Sequence, residues 1–274
     1  MRQSLEETPV GAEGGLKMHH QVRSRCAVYV FLATALTASS PAASAAELAV
    51  MAPNAVKEAV AEIAAHFEKE TKHKLVLSWA GSEAISKRVS DGEIFDVVIN
   101  TATGIDRLAK DARLVAASRR DLARSAVAVA VKEGVARPDV STVEGLRQVL
   151  LKAESIAISS GASGRYLEQL FQKLGVAEQI KHKIKQPPSG AQIGDLLARG
   201  EVELGFQQVT ELVHAKGFQY LGPLPAEVQA YTIWSVAIHT GSKEAETAAA
   251  FINAISSPQS AAAIRSSGME PMPR

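Results

Sequence analysis

Four places in the chain set a small hydroxyl or amide residue where an apolar run gives way to a helical pattern: Asn54-Ala55, Gly81-Ser82, the stretch from Ser160 to Ser163, and Gln207-Gln208. A helix N-terminus presents free N–H groups and a partial positive charge, so short polar residues there suit an anion. Any one of the four, taken singly, reads as an ordinary helix cap. Recurrence at four strand ends is what carries the ligand reading. Acidic residues are absent from these positions, although Glu83 adjoins Ser82. Catalytic patterns are weaker. Gly161-Ala162-Ser163-Gly164 lacks the spacing of a G-x-S-x-G nucleophile turn. His66, His73, His182, His214 and His239 make no H-x-x-x-H or similar pair, and neither a P-loop nor a G-x-G-x-x-G occurs. No metal, cofactor or enzymatic activity is expected. Trp79 borders the second loop and reads as core.

The elements that must hold these loops alternate. Strands are expected over 48–52, 74–79, 95–100, 125–131, 155–158, 203–206 and 231–238. Between them, Val56, Val60, Ile63, Ala64 and Phe67 form one helical stripe, and Leu167, Leu170, Phe171 and Leu174 another. Further helices are expected from Ser82 as N-cap to Arg88, over 105–112, from a capping box at Ser141 to about Leu151, around Ile193, Leu196 and Leu197, and over 243–255 and 258–266. Strand–helix alternation implies mainly parallel sheets with helices on both faces. Ligands of such sheets bind beyond the carboxyl ends of the strands.

Composition narrows the function classes. Hydrophobic residues make 46% of the 274 and charged residues 22%, ordinary for a globular chain. Lys17, Arg23 and Arg25 precede an apolar run over 26–36 and a small-residue stretch over 39–46, the three parts of a secretory leader. A leader over 1–46 is therefore expected, with cleavage near Ala45 or Ala46 and an alternative start at Met18. Cys26, the single cysteine, falls inside it without a lipobox, so the mature chain has no disulfide. The leader takes four basic and three acidic residues from the chain's 30 and 29, leaving 26 of each. A mature chain of zero formal charge has no broad field for nucleic acid or anionic lipid.

Longer segments carry a resemblance. Leu48-Ala-Val-Met-Ala-Pro-Asn-Ala55, Phe67-Glu-Lys-Glu-Thr71, Val76-Leu-Ser-Trp-Ala-Gly-Ser82, Phe95-Asp-Val-Val-Ile-Asn100, and the stretches 164–175 and 198–205 resemble, in order and spacing, the molybdate-binding family of periplasmic binding proteins. The likeness covers 47–274. It implies a type II periplasmic binding fold: two α/β lobes, each a mainly parallel sheet flanked by helices, joined by two crossing strands. Lobe 1 would take 47–125 and 235–274, and lobe 2 126–234. It also implies a monomeric, periplasmic solute-binding protein that closes over a molybdate-like oxyanion and delivers it to the permease of an ABC importer. By position, the family's first serine ligand falls on Ala55, the second on Ser82, a backbone N–H donor on Ser163, another near Gly190, and a tyrosine near Gln208. Asn54, Gln207, Gln208 and Arg165 are the residues at hand to replace the two missing hydroxyls. Arg165 is open between a carboxylate fork and a solvated surface arginine. The ligand is accordingly open between an oxyanion and a small organic acid. A ligand sensor on the same fold and a secreted hydrolase using Ser82 or Ser163 are the alternative readings.

Overall fold

The computed structural model describes residues 45–273. The expected leader over 1–46, with Met18 and Cys26, lies outside the described residues except for its last two positions.

The first half of the fold begins with β1 (Glu47–Pro53), α1 (Lys57–Thr71), β2 (Lys74–Ala80), α2 (Ser82–Ser90), β3 (Val97–Thr101) and α3 (Ala102–Lys110). A long strand, β4 (Arg120–Lys132), leads into the second half: α4 (Val143–Lys152), β5 (Ile156–Ile158), α5 (Ala162–Lys173), α6 (Ala177–Ile180), β6 (Ile184–Lys185), α7 (Ile193–Ala198), β7 (Leu204–Gln208), α8 (Val209–Leu212) and β8 (Phe218–Pro223). The chain returns through β9 (Tyr231–Ile238) to α9 (Ala245–Ile255), α10 (Ala261–Ser266) and β10 (Glu270–Pro271).

The strands run in the order β2-β1-β3-β9-β4-β7-β5-β6. β2-β1-β3 and β7-β5-β6 are parallel ladders, and β9 and β4 join them antiparallel. β4 serves both halves. Residues up to Ala126 pair with β9, and those from Val127 pair with β7 and β8.

Each half buries two apolar layers. In β1, Leu48, Val50 and Ala52 face a core with Phe67, Trp234 and Phe251, while Met51 faces Ile85, Val98 and Leu108. The two-residue period of a strand dictates this split. In β4, Val127, Val129 and Val131 pack with Leu146, Leu167 and Phe206; Ala128 and Ala130 face Ile193 and Leu197. The small residues let α7 lie close to the sheet. A Cβ added at Gly205 would sit 2.5 Å from the Ile193 side chain. Each fully buried Leu, Ile or Val contributes roughly 1.5–3 kcal/mol.

Several helix starts differ from the sequence expectation. α3 begins at Ala102, not 105, because the Thr101 hydroxyl accepts from the Gly104 N–H and caps it. Thr142, not Ser141, caps α4, accepting from the Gly145 N–H. Gly81, not Ser82, is the N-cap of α2, which leaves the Ser82 hydroxyl uncommitted as a cap. β8 was not foreseen. Gly217 before it and Gly222 within it take positive φ values of 87° and 126°, and the segment is short for an alternating pattern. No helix of the described residues is long and apolar enough to cross a membrane.

Candidate functional site

The carboxyl ends of β1, β2, β5 and β7 converge on a cleft that is partly open to solvent and holds a cavity of about 50 Å³. By the one-probe-sphere measure this is room for roughly three to five waters. Of the residues expected at the site, Asn54, Ala55, Ser82, Ser160, Ser163, Gly190, Gln207 and Gln208 all line it. Arg165 does not. Its side chain is half exposed, and its guanidinium bonds the Glu83 carboxylate of α2.

The first half contributes loop and helix-start groups. The Asn54 side-chain N–H donates to the Gly190 carbonyl at 3.0 Å, a bond from one half to the other. Ala55 is buried and brings no polar side-chain atom. The start of α2 is held by Asn100, whose amide donates to the Ser82 carbonyl at 3.1 Å and the Ser86 hydroxyl at 3.0 Å. Gly81 is needed because the halves meet there. A Cβ on it would lie 2.5 Å from the Gly190 nitrogen.

The second half contributes the start of α5. Gly161 caps it without a side chain, and α5 begins at Ala162. Ser163 and Ser159 share a hydroxyl bond of 2.9 Å, and the buried Ser160 hydroxyl oxygen has no partner within the protein. The two glutamines are engaged internally. Gln207 accepts from the Ile193 N–H at 2.9 Å and donates to the Glu211 carboxylate at 2.9 Å. The Gln208 amide lies against Thr232; turned so that its carbonyl accepts from the Thr232 hydroxyl at 2.8 Å, its NH₂ faces the Ser125 and Ala126 carbonyls at 3.2 Å.

Among the lining residues that the sequence reading missed are Trp234 and Glu211. Trp234 of β9 is buried, and its indole N–H has no partner within the protein. Glu211 is the one ionisable residue of the lining. Burial pushes its carboxyl up to about 7, against the opposing pull of the bonds from Gln192, the Gln208 backbone and Gln207. It lies on α8, whereas Gln207 belongs to β7, so their contact comes from the strand-to-helix turn and had no signal in the sequence pattern. Glu211 also lines an outer cavity of about 350 Å³ with Asn54, Lys57, Glu58, Gln192, Thr210 and His214. Among the described residues no group of three or more His, Cys, Asp or Glu side chains is arranged to hold a metal ion.

The arrangement is a partly open chamber of neutral donors with one acid in its wall. Comparison with known proteins gives a context for it. Residues 48–270 match the family model described as bacterial extracellular solute-binding protein. An aconitate isomerase of Pseudomonas sp. is 34% identical over 88% of this chain and 92% of its own length. A molybdate-binding protein of Azotobacter vinelandii is 27% identical over 83% of this chain and 91% of its own. The solved structure of a periplasmic molybdate-binding protein of Azotobacter vinelandii superposes with a TM-score of 0.70 at 21% identity, covering 83% of this chain and all of that one.

Proposed function

We propose that this chain, which belongs to the bacterial extracellular solute-binding protein family, captures a small organic polycarboxylic acid and presents it to the permease of an ABC importer. Glu211 is the observation that carries the reading. A molybdate-like ion at neutral pH offers only acceptor oxygens, so Glu211 can meet it only as the neutral acid. An organic acid that carries a hydroxyl or a carboxyl proton can meet Glu211 in either state. Its carboxylates can meanwhile take the N–H and O–H donors of α2, α5, Ser160 and Trp234. The name of the Pseudomonas relative supports the same substrate class. In this reading the two halves act as lobes, 47–125 with 235–274 against 126–234, and β4 and β9 carry the crossings. The contacts of Asn54 and Gly81 with Gly190 are then closing contacts. The leader over 1–46 would deliver the chain to the periplasm. Calorimetric titration with molybdate, tungstate, citrate, tricarballylate and cis- and trans-aconitate tests the substrate class. Micromolar binding of a tricarboxylate without molybdate binding is expected. Tight molybdate binding with no response to any carboxylate would overturn it.

A second reading is that the bound acid is also isomerised. The specific observation is an acid that titrates near neutrality in the wall of the chamber, in a chain 34% identical to an aconitate isomerase. A general acid–base works best with a value near the working pH. Following conversion of cis- to trans-aconitate by chromatography decides between a binder and an enzyme.

A further inference from the structure

The inner chamber, the outer cavity and the carboxyl between them carry a consequence for how the ligand enters, one that rests on the polycarboxylate reading. We infer that Glu211 holds its ligand as the neutral acid, so that each polyanion captured brings one proton into the protein.

The geometry leads there in three steps. First, no Lys, Arg or His lines the inner chamber among the described residues, so nothing there offsets two negative charges together. Second, the partners of the Glu211 carboxylate are neutral amides, Gln207 at 2.9 Å and Gln192 at 3.4 Å, with neither supplying a counter-charge. A second anion at hydrogen-bonding distance in such a site forces one carboxyl to take up a proton. The neutral acid then gains a function, because its O–H is a donor that the ionised form lacks. Third, Glu211 also faces the outer cavity, which gives its proton a route when the inner chamber is closed. The charged and titratable side chains on that side are Lys57 and Glu58 of α1 and His214 after α8. They oppose one another in sign, and none lines the inner chamber. Burial already holds the carboxyl about halfway to protonation at neutral pH.

The consequence is a linkage. A ligand that accepts the acid's hydrogen is retained more weakly as the pH rises, and the same holds for any competing anion.

The decisive measurement needs no variant. The wild-type chain is titrated with tricarballylate or trans-aconitate at about pH 8 in buffers of different ionisation enthalpy. The slope of observed heat against buffer enthalpy should give close to one proton taken up per ligand. Affinity should fall about tenfold per pH unit above neutrality. In Glu211→Gln the uptake should vanish. Binding without proton uptake in the wild type overturns the inference and leaves the polycarboxylate reading standing. Uptake that persists in Glu211→Gln also overturns it, because the ligand itself then takes the proton. Absence of binding by any carboxylate sinks the substrate class itself.

Discussion

Across the chamber, the wall made by β1, β2, α2 and β9 offers only neutral groups: the Asn54 amide, the Ser82 hydroxyl, the Trp234 N–H and helix-start backbone. The facing wall, from β5, α5, β7 and α8, adds hydroxyls at Ser159, Ser160 and Ser163 and the one acid, Glu211. In the proposed reading the first wall is a general anion cradle, and chemical choice is concentrated in the second. The walls also depend on glycine for different reasons. Gly164 supports one wall from within, whereas Gly81 lets the two walls meet.

That contrast gives the largest expected effect. A Cβ at Gly164 would lie 1.6 Å from the Ser159 carbonyl oxygen, an overlap with backbone that cannot rotate away. Gly164→Ala should cost at least about 4 kcal/mol in urea unfolding, the range reached when backbone must shift in a packed region. Gly81 has φ −77° and ψ 151°, ordinary for alanine. Gly81→Ala should therefore leave the melting temperature nearly unchanged while ligand affinity drops roughly 100-fold or more, because the added carbon props the walls apart. Similar melting losses in both variants would break the distinction.

The next effect belongs to the acid alone. Folding raises Glu211 from 4.5 to about 7, so the unfolded chain ionises it first. The native state therefore loses relative stability as the pH climbs from about 4.5 to about 7, and the loss is complete above that. A shift of this size corresponds to roughly 3–3.5 kcal/mol in all, of which about 2.5 kcal/mol falls between pH 5 and pH 8. Glu211→Gln removes the loss. Its stability relative to wild type should rise by that amount between about pH 5 and pH 8, measured by urea melts without ligand. A difference that stays flat with pH would show that the carboxyl reaches solvent freely.

Smaller again are the single donors, one on each wall. Trp234→Phe removes an N–H with no partner in the protein, together with part of a core ring. Ser160→Ala removes a hydroxyl that likewise has no partner. Ser160→Ala should not lower the melting temperature, since no internal bond is lost, whereas Trp234→Phe should lower it by the cost of the cavity it leaves. Each should weaken ligand binding by about 1–2 kcal/mol if that donor meets the ligand. A loss confined to Ser160→Ala would assign all specific recognition to the second wall.

The sequence showed the scaffold better than the chemistry. Strand ends were legible because β1 and β4 carry continuous apolar runs, over 48–52 and 126–131, that stop at break signals. Their helices carry clear stripes such as Leu167, Leu170 and Phe171. The loop residues followed, since a ligand of such a sheet can only meet the strand ends. Trp234 was hidden because an indole in the middle of an apolar strand looks like core, and most of it is core. Glu211 was hidden because one acid on a four-residue helix has no periodicity around it. Gln207 and Gln208 were visible, but their role as internal supports depends on contacts with Ile193, Ser125 and Thr232 that sequence separation conceals.

The smallest expected effect concerns the rim, where Glu83 of α2 bonds Arg165 of α5 across the two walls. The pair links the halves and so favours closure. Its worth is limited, because the Arg165 side chain is 50% exposed and that of Glu83 41%. Water screens such a pair, and ordering two long side chains offsets part of the attraction, leaving about 0.2–1 kcal/mol. Only closure should feel it, since each residue sits on its own helix and neither packs a core. Glu83→Gln should therefore weaken ligand binding by no more than about fivefold at low ionic strength. The difference from wild type should shrink toward zero in roughly 0.5 M salt, where the Debye length falls to a few ångströms. Arg165→Gln should match it, and the double variant should be no weaker than either single one, which is the signature of one shared interaction. A loss in Arg165→Gln much larger than in Glu83→Gln would break the symmetry. It would mean that the arginine swings inward onto a carboxylate of the ligand, and the second wall would then hold a cation beside its acid.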